Sequence, residues 1–371
     1  MFNIKKIKMK ALKTNISLVK NVSRYTIQEN ALSNFSSILD SLNVNKDAYV
    51  LFFVDDYFKS NPLDIEVNRE HSFIFIDTKI EPSTNGIDKI LAELKEKSIS
   101  PDAIVSVGGG ATMDTGKAIS NLYTNGGNAE DYQGWDLVKV PGVYKIAVPT
   151  ILGTGAEATR TCVMTNYRTG LKLGMNSDHT VYDAVIYDNN LSKTVERNQY
   201  FWTGMDAYIH SFESLSGSYR NIVGDSFSEK SIDLCKKVFF QGDMMSDENR
   251  SLLMIASYLG GCAIATSYVG IVHPLSAGLS VVFGIHHCVA NCIVMRAMEE
   301  FYPEYYAEFW GFVEKNNITI PEGVCKDSDD EEFEKLYDAS IIHEKPLTNA
   351  LGPGFKSILT KQKLKELFLK M

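Results

Sequence analysis

Short apolar runs alternate with amphipathic segments over the first half of the chain. Four runs have the length and composition of buried strands: AYVLFFVDD (48–56), HSFIFID (71–77), AIVSVGGG (103–110) and YKIAVPT (144–150). Between them, segments 81–97 and 112–127 carry apolar residues at helical spacing, the first behind a Pro-Ser-Thr start and the second before paired glycines. Alternation of strands and helices predicts a parallel sheet with helices on its faces.

The second half changes to helical spacing alone. Helices are predicted at 199–216, 225–240, 248–270, 286–302 and 304–317, and no convincing strand follows residue 191. The acidic run 327–332 is predicted to be the solvated start of a further helix. The fold class is therefore α/β plus all-α, with an α/β domain over 1–195 and an all-helical domain over 196–371.

Segment 251–295 contains no Asp, Glu, Lys or Arg. Its glycines, its proline and its three histidines interrupt any apolar run of membrane length. We expect buried helices at the centre of the helical domain and no membrane span. Polar groups in such a setting are shielded from water, which strengthens their electrostatic interactions.

Composition narrows the classes of protein further. The chain has 371 residues, 44% hydrophobic and 22% charged, with a net charge of −9, which gives no support for nucleic-acid binding. Its six cysteines form no Cys-x-x-Cys pair and are expected to be reduced thiols of a cytoplasmic protein. The lysine-rich start (5–13) lacks a following apolar run, so we predict a solvated N-terminal strand and no secretory signal.

Four residues form a candidate metal site. Asp206 and His210 lie one helical turn apart in TGMDAYIH, and His273 and His287 follow in HPLSAGLSVVFGIHH. One oxygen and three nitrogens suit Fe²⁺ or Zn²⁺ better than Ca²⁺ or Mg²⁺, which prefer oxygen ligands. An isolated Asp-x-x-x-His pair is weak evidence, and the two later histidines can also be satisfied core residues. Their position in the uncharged segment favours a metal that acts as a Lewis acid in catalysis.

A glycine-rich turn is the candidate phosphate cradle. VGGGATMDTGK (107–117) predicts a strand, the triple glycine Gly108, Gly109 and Gly110, and a helix whose N-terminal N–H groups can face a pyrophosphate. Thr112 and Asp114 lie in the first turns and are assigned to the cofactor site. Alternatively, the Asp114 carboxylate only interacts with the helix dipole, and the Lys117 side chain is only solvated.

Two further strand ends carry polar groups. Asp56 follows the first strand, where it can bind the ribose of NAD or simply face solvent. Thr150, Gly153 and Thr154 form a second loop at the carboxyl edge of the sheet, where ligands bind in open parallel sheets. Arg160 follows this loop and can pair either with a substrate carboxylate or with Glu157.

The order of these motifs resembles the iron-containing (group III) alcohol dehydrogenases. GGGATMDTGK, PTILGTGAEAT, TGMDAYIH and the two later histidines with Asn291 carry the resemblance. It implies a dinucleotide-binding domain followed by a helical metal domain, the architecture shared with dehydroquinate synthase, and a homodimer. It also implies Fe²⁺ or Zn²⁺ at Asp206, His210, His273 and His287, and NAD(P) contacts at Asp56, 108–112, Thr150 and Thr154.

Within that family, several segments resemble the enzymes that oxidise C8 of the sugar acid 3-deoxy-D-manno-octulosonate. The supporting segments include VDDYFKSNPLD, YQGWDLVK, LGMNSDHTVYD and NNITIPEGVCKD. This resemblance implies oxidation of a terminal primary alcohol to the aldehyde, which an aminotransferase converts to an amino sugar of lipopolysaccharide. Arg160, Lys172 and Asn176 are candidates for binding the carboxylate of the sugar acid.

Two positions depart from the family pattern. Many members have a histidine, close to the nicotinamide, where this chain has Ala277, so the resemblance leaves the electron acceptor open between NAD(P) and O₂. The usual His-Gly is His287-Cys288 here, preceded by His286. His286 is either a proton carrier or a ring packed behind the ligands.

Three other functions compete with alcohol oxidation by O₂. An NAD(P)-dependent dehydrogenase or aldehyde reductase for another small alcohol needs the same residues. A cyclase of the dehydroquinate-synthase type needs basic residues for a substrate phosphate in its helical domain, and segment 251–295 has none. A non-catalytic protein with a structural metal is a poor fit, because structural zinc sites are usually rich in cysteine.

Overall fold

The computed structural model describes Ile16 and residues 18–371. The chain divides into two compact units between Thr194 and Val195, next to the boundary that the sequence predicts. The lysine-rich start (5–13) lies outside the described residues.

Unit 20–194 is built on a six-stranded sheet in the order β1-β9-β6-β4-β2-β3, and every pair in it is parallel. A second, small sheet has the order β5-β8-β7. The predicted parallel sheet is confirmed. The strands are β1 (Arg24–Ile27), β2 (Val50–Asp55), β3 (His71–Ile76), β4 (Ala103–Gly108), β5 (Gly134–Trp135), β6 (Tyr144–Pro149), β7 (Thr161–Asn166), β8 (Leu171–Asn176) and β9 (Ala184–Tyr187).

Both faces of the large sheet are covered. Along β2, Phe52 and Val54 belong to one buried apolar cluster and Leu51 and Phe53 to another on the opposite face. A strand buried on both faces is continuously apolar, which is why AYVLFFVDD stands out in the sequence. The helices of this unit are α1 (Phe35–Ser41), α2 (Tyr57–Ser60), α3 (Thr84–Glu96) and α4 (Gly110–Asn125).

A buried lysine ties α4 to the small sheet. Lys117 is fully buried, and its Nζ donates hydrogen bonds to Thr159 O (3.0 Å), Thr159 Oγ1 (2.9 Å) and Thr161 O (2.7 Å). The predicted solvated lysine is therefore wrong. The ammonium group fixes the start of β7 because no water is available to replace these three acceptors.

The unit from 195 to 371 is helical, and its described residues form no strand. The predicted start of a helix at the acidic run is confirmed, since Asp329 and Glu332 form a capping box at the beginning of α11. The helices are α5 (Arg197–Ser216), α6 (Ile222–Phe240), α7 (Asp247–Ser267), α8 (Val272–Phe283), α9 (His287–Val294), α10 (Pro303–Asn316), α11 (Asp330–Ile341), α12 (Glu344–Leu351), α13 (Phe355–Ile358) and α14 (Lys361–Phe368).

The uncharged segment forms most of α7, all of α8 and α9, and the loops that join them. Gly260 lets α7 approach α5 closely, because a Cβ atom there would lie 3.1 Å from the carbonyl oxygen of Ala207. Among the described residues, no single helix has the length and apolarity of a membrane crossing, although α7 and α8, bent by 104° at their junction, reach that composition together.

Candidate metal centre

Three helices of unit 195–371 bring the predicted ligands together. Asp206 and His210 lie on α5, His273 on the first turn of α8, and His287 begins α9. The chain can turn from α8 into α9 because Gly284 adopts a left-handed conformation at φ 66°. His273 and His287, which are 14 positions apart in the sequence, thus face the same turn of α5.

The donor atoms converge on one oxygen of Asp206. Its Oδ1 lies 3.3 Å from Nε2 of His273, 3.4 Å from Nε2 of His210 and 4.0 Å from Nε2 of His287. Ligands about 2.1 Å from a tetrahedral Zn²⁺ are themselves about 3.4 Å apart. The spacing and the donor set of Asp206, His210 and His273 therefore fit Fe²⁺ or Zn²⁺, and His287, which lies farther away, stays a predicted fourth ligand.

Exposure increases across the four ligands. The side chain of Asp206 is 1% exposed, that of His210 5%, that of His273 11% and that of His287 30%. An ion held here is shielded from water on the α5 side and accessible beside His287. A closed structural site does not need such an accessible side, whereas a catalytic site does.

The charges of the cluster are strongly coupled. Burial by itself would raise the pKa of Asp206, but His210 and the other two histidines hold it well below its usual range. Burial lowers the pKa of His210 to about 4. Burial also acts to lower the pKa of His273, but Glu213 and Asp206 outweigh it and raise that pKa to about 9. Without an ion, the cluster thus holds an ionised carboxylate beside a neutral His210 and a protonated His273, and a cation that binds there displaces a proton from His273.

Three residues that sequence reasoning did not assign contact this cluster. Asn291 Nδ2 donates to Asp206 Oδ1 at 2.8 Å, and Cys288 Sγ lies 3.9 Å from Asp206 Oδ2. Glu213 lies beside His273 Nδ1, with its Oε2 at 2.5 Å. The available signal was spacing, since Asn291 follows His287 by one turn, and Glu213 follows His210 by three positions on the same face of α5.

The two positions that depart from the family pattern lie on α8 and immediately before α9. Ala277 is buried on α8, one turn after His273. His286 immediately precedes α9 and is exposed, and its role as a proton carrier or as a ring packed behind the ligands stays a prediction.

The predicted cofactor residues of unit 20–194 lie at the carboxyl ends of three neighbouring strands. Asp56 follows β2, the triple glycine follows β4, and Thr150 follows β6. Thr150 N donates to Gly108 O at 3.1 Å, which joins the last two loops. Gly153 adopts φ 141°, and Thr154 beyond it packs towards Gly110, where an added Cβ atom would lie 3.6 Å from its Cγ2.

The first turn of α4 offers N–H groups and a hydroxyl that could bind an anion. Gly109 is its N-cap and supplies no side-chain hydrogen bond, so the first N–H groups of a 16-residue helix have no side-chain acceptor there. Thr112 Oγ1 is buried and accepts or donates no hydrogen bond among the described residues. A side chain at Gly108 would place its Cβ 2.5 Å from that hydroxyl. These features fit a pyrophosphate group.

Two acids near this edge have structural contacts. Asp55 accepts hydrogen bonds from Tyr57 N (3.0 Å) and Thr78 Oγ1 (3.2 Å), which leaves the half-buried Asp56 as the acid for a ribose. Asp114 accepts from Val163 N at 2.9 Å, and burial raises its pKa to about 6. This contact ties α4 to β7 and gives Asp114 a structural role that the sequence did not predict.

The three substrate candidates lie at the small sheet and already have partners. Arg160 pairs with Asp178 (2.6 Å) and Asp136 (2.8 Å), not with Glu157, which accepts instead from the hydroxyl of Tyr187. The Lys172 amine contacts the Glu81 carboxylate. The Asn176 amide donates to the carbonyls of Gly134 and Gly174. Their role in binding a substrate stays a prediction.

Known proteins resemble the chain over both units. At the sequence level, Alcohol dehydrogenase 4 of Schizosaccharomyces pombe is 29% identical over 222 residues (59% of this chain, 52% of that protein). Sulfoacetaldehyde reductase of Bilophila wadsworthia is 30% identical over 221 residues (58% and 56%), so the matches span about half the length of these relatives. In structure, an alcohol dehydrogenase from Oenococcus oeni has a TM-score of 0.82 at 19% identity, covering 95% of this chain and 99% of the other.

Family models match each unit in turn. The model "Iron-containing alcohol dehydrogenase" matches residues 23–189, and the model "Fe-containing alcohol dehydrogenase family, C-terminal" matches residues 201–335. The predicted fold class, a parallel-sheet dinucleotide-binding domain followed by a helical metal-binding domain, is confirmed. The chain belongs to the iron-containing alcohol dehydrogenase family.

Proposed function

We propose that this chain is a metal-dependent oxidoreductase that converts a primary alcohol to its aldehyde. The observation that carries the proposal is the convergence of three imidazole Nε2 atoms on Asp206 Oδ1. A divalent ion held by Asp206, His210, His273 and His287 supplies Lewis-acid chemistry, which makes a hydroxyl group more acidic.

The chain's own residues divide the remaining tasks. The uncharged helices α8 and α9 exclude water from the buried side of the cluster, and His287 borders its accessible side. His286, exposed beside it, is suited to take up the hydroxyl proton, because a histidine can gain and lose a proton near neutral pH.

Fe²⁺ and NAD(P) are the cofactors of the family, and both have fitting residues here. Gly108, Gly109, Thr112 and Thr150 fit the pyrophosphate, and a structural neighbour, a sulfoacetaldehyde reductase from Bifidobacterium kashiwanohense, was solved with NAD⁺. Asp56 favours NAD over NADP, because its carboxylate repels a 2′-phosphate.

For the substrate we propose 3-deoxy-D-manno-octulosonate or a similar sugar acid, oxidised at its terminal CH₂OH. Two observations support this proposal. Segments spread over the chain resemble the enzymes that oxidise this sugar acid, and one relative is named for an aldehyde that also carries a negative charge, sulfoacetaldehyde. The aldehyde product would feed an aminotransferase that makes the amino sugar of lipopolysaccharide. A homodimer and a cytoplasmic location stay predictions.

A second candidate is an NAD(P)-dependent dehydrogenase or aldehyde reductase for another small alcohol. Relatives named sulfoacetaldehyde reductase and NAD-dependent methanol dehydrogenase favour it. It uses the same metal centre, so the two candidates differ in substrate and electron acceptor only.

The test is to load the protein with Fe²⁺ or Zn²⁺ and offer the octulosonate with and without NAD⁺, in air and under argon. We expect aldehyde to form with the loaded protein and not with the His273→Ala variant, which should lose both metal and activity. His71→Ala, at an exposed histidine of β3, is the control and should keep both.

The outcomes separate the alternatives. Aldehyde without NAD⁺ that requires air identifies an oxidase, and NADH accumulation identifies a dehydrogenase. Turnover of other primary alcohols but not of the sugar acid would overturn the substrate proposal alone. Absence of turnover with every primary alcohol and aldehyde would overturn the proposed function.

A further inference from the structure

Glu213 is an acid in the least polar part of the molecule. It lies on α5, two turns beyond Asp206, and it is fully buried. A carboxylate is costly to bury unless hydrogen-bond donors surround it. A specific role is therefore expected for Glu213, and the residue roles described above do not include one.

Both oxygens of this carboxylate have a donor on α8. Oε2 lies 2.5 Å from His273 Nδ1, and Oε1 accepts the backbone N–H of Val272 at 2.6 Å. One side chain thus contacts a metal ligand and the first residue of the helix that carries this ligand.

The first contact selects one state of the imidazole ring. A carboxylate accepts hydrogen bonds, so it keeps a proton on Nδ1 of His273. The lone pair of a neutral ring is then on Nε2, the atom that lies 3.3 Å from Asp206 Oδ1. When a cation takes the place of the Nε2 proton, the ring therefore already presents the correct nitrogen to it.

The second contact fixes the start of α8. N–H groups of the first helical turn lack partners within the helix, and the N-cap, Ile271, offers no side-chain acceptor. Glu213 supplies that acceptor from α5. The position of His273 is therefore fixed at its backbone as well as at its ring.

The surrounding loop fits closely around the carboxylate. A Cβ atom at Gly270 would lie 2.4 Å from the Tyr302 hydroxyl and 2.9 Å from Glu213 Oε1. Ile271 N donates to the same hydroxyl at 3.3 Å. By contrast, Nδ1 of His210 is buried with no hydrogen-bond partner among the described residues, so His210 lacks the support that His273 receives.

We propose that Glu213 is a positioning residue of the metal centre, which holds the proton of His273 on Nδ1 and ties the ligand to the first turn of α8. The inference rests on the proposed binding of a metal by this cluster. It assigns Glu213 no contact with substrate, so its effect is expected on metal affinity and ligand geometry.

The test compares the full chain with Glu213→Gln, which keeps the shape but can accept only one of the two hydrogen bonds well. Zn²⁺ affinity is measured by competition with a coloured chelator, and the ligand field by the visible spectrum of the Co²⁺ form. We expect affinity to fall about 10- to 100-fold, as is typical when a ligand's supporting partner is lost, with a changed Co²⁺ spectrum. The control Tyr302→Phe removes the hydroxyl that faces the same loop from the N-cap of α10 and should leave both unchanged.

Two results overturn the inference: a Glu213→Gln protein with wild-type affinity and spectrum, or a Tyr302→Phe protein with an equal loss. If Glu213→Gln does not fold by circular dichroism, ¹⁵N-histidine NMR of the Zn²⁺-loaded wild type decides. A proton on Nδ1 of His273 supports the inference, and a metal on Nδ1 overturns it. Failure of the wild type to bind any metal overturns the proposed function instead.

Discussion

At the scale of single side chains, the four ligands differ in what surrounds them. His210 is almost fully enclosed, whereas His287 borders solvent. Replacement of either by alanine should weaken metal binding strongly, because each removes one of four donors. The metal-free proteins should differ: about 1–3 kcal/mol of stability is lost in His210→Ala through a buried cavity, but no more than about 0.5 kcal/mol in His287→Ala.

Urea denaturation of the two metal-free variants measures this contrast, and competition with a chelator measures the affinity. Equal losses of stability would contradict the buried and accessible sides assigned to the site. Retention of metal by either variant would contradict its assignment as a ligand.

Lys145 on β6 provides a pH-dependent prediction. It is buried, 3.6 Å from Asp183 Oδ2, and burial lowers its pKa to about 8. An unfolded lysine has a pKa of about 10.4, so between these values the unfolded chain binds more protons, and the free energy of unfolding rises with pH. Relative to Lys145→Met, the wild type should gain about 2–3 kcal/mol from pH 7 to pH 10.

Urea denaturation of the wild type and Lys145→Met at several pH values measures that gain. The test uses the difference in free energy of unfolding between the two proteins at each pH, because cysteines and tyrosines contribute equally to both curves. Parallel curves would show that Lys145 keeps its charge in the folded state.

At the scale of elements, α4 holds the small sheet through two buried charges. Lys117 donates to the chain at Thr159 and Thr161, and Asp114 accepts from Val163 on β7. Lys117→Met should leave the acceptors at Thr159 and Thr161 unsatisfied and remove the cation near Asp114, at a cost of about 3–5 kcal/mol. Chemical denaturation measures the loss, and Lys89→Met, at a 78% exposed site on α3, should change stability by no more than about 0.5 kcal/mol.

The same elements show which features of the fold could be predicted from the sequence. Strands β2, β3, β4 and β6 were predictable because each is apolar and bounded by polar or glycine residues, although only β2, β4 and β6 are buried and β3 lies at the edge of the sheet. The strands β7 and β8 were missed because polar residues such as Thr161, Thr165 and Lys172 interrupt their apolar positions, which resembles a solvated loop. The partners of Lys117 and Glu213 were not predictable, because contacts over 42 and 60 positions depend on tertiary packing.

At the scale of the whole molecule, each unit has its own candidate ligand. A ligand that binds only the folded state stabilises it by about 2.7 kcal/mol at 100 times its dissociation constant. Zn²⁺ or Fe²⁺ should therefore stabilise unit 195–371, and NAD⁺ should stabilise unit 20–194. Hydrogen exchange of the metal-free and cofactor-free protein, with each ligand added in turn, should show protection first in the corresponding unit.

A chelator should reverse the first effect and not the second. Protection of unit 20–194 by metal alone, with none in unit 195–371, would contradict the assignment of the ligands to α5, α8 and α9.

The increase in exposure from Asp206 to His287 also has a kinetic consequence. An ion enters or leaves most readily past His287, since its side chain is the most exposed of the four and the other three are more enclosed by helices. The buried ligands then determine how tightly the ion is held, whereas the mobility of one imidazole determines its residence time. The metal in the purified protein would accordingly reflect the ions available during growth and handling, because exchange does not require the helices to separate.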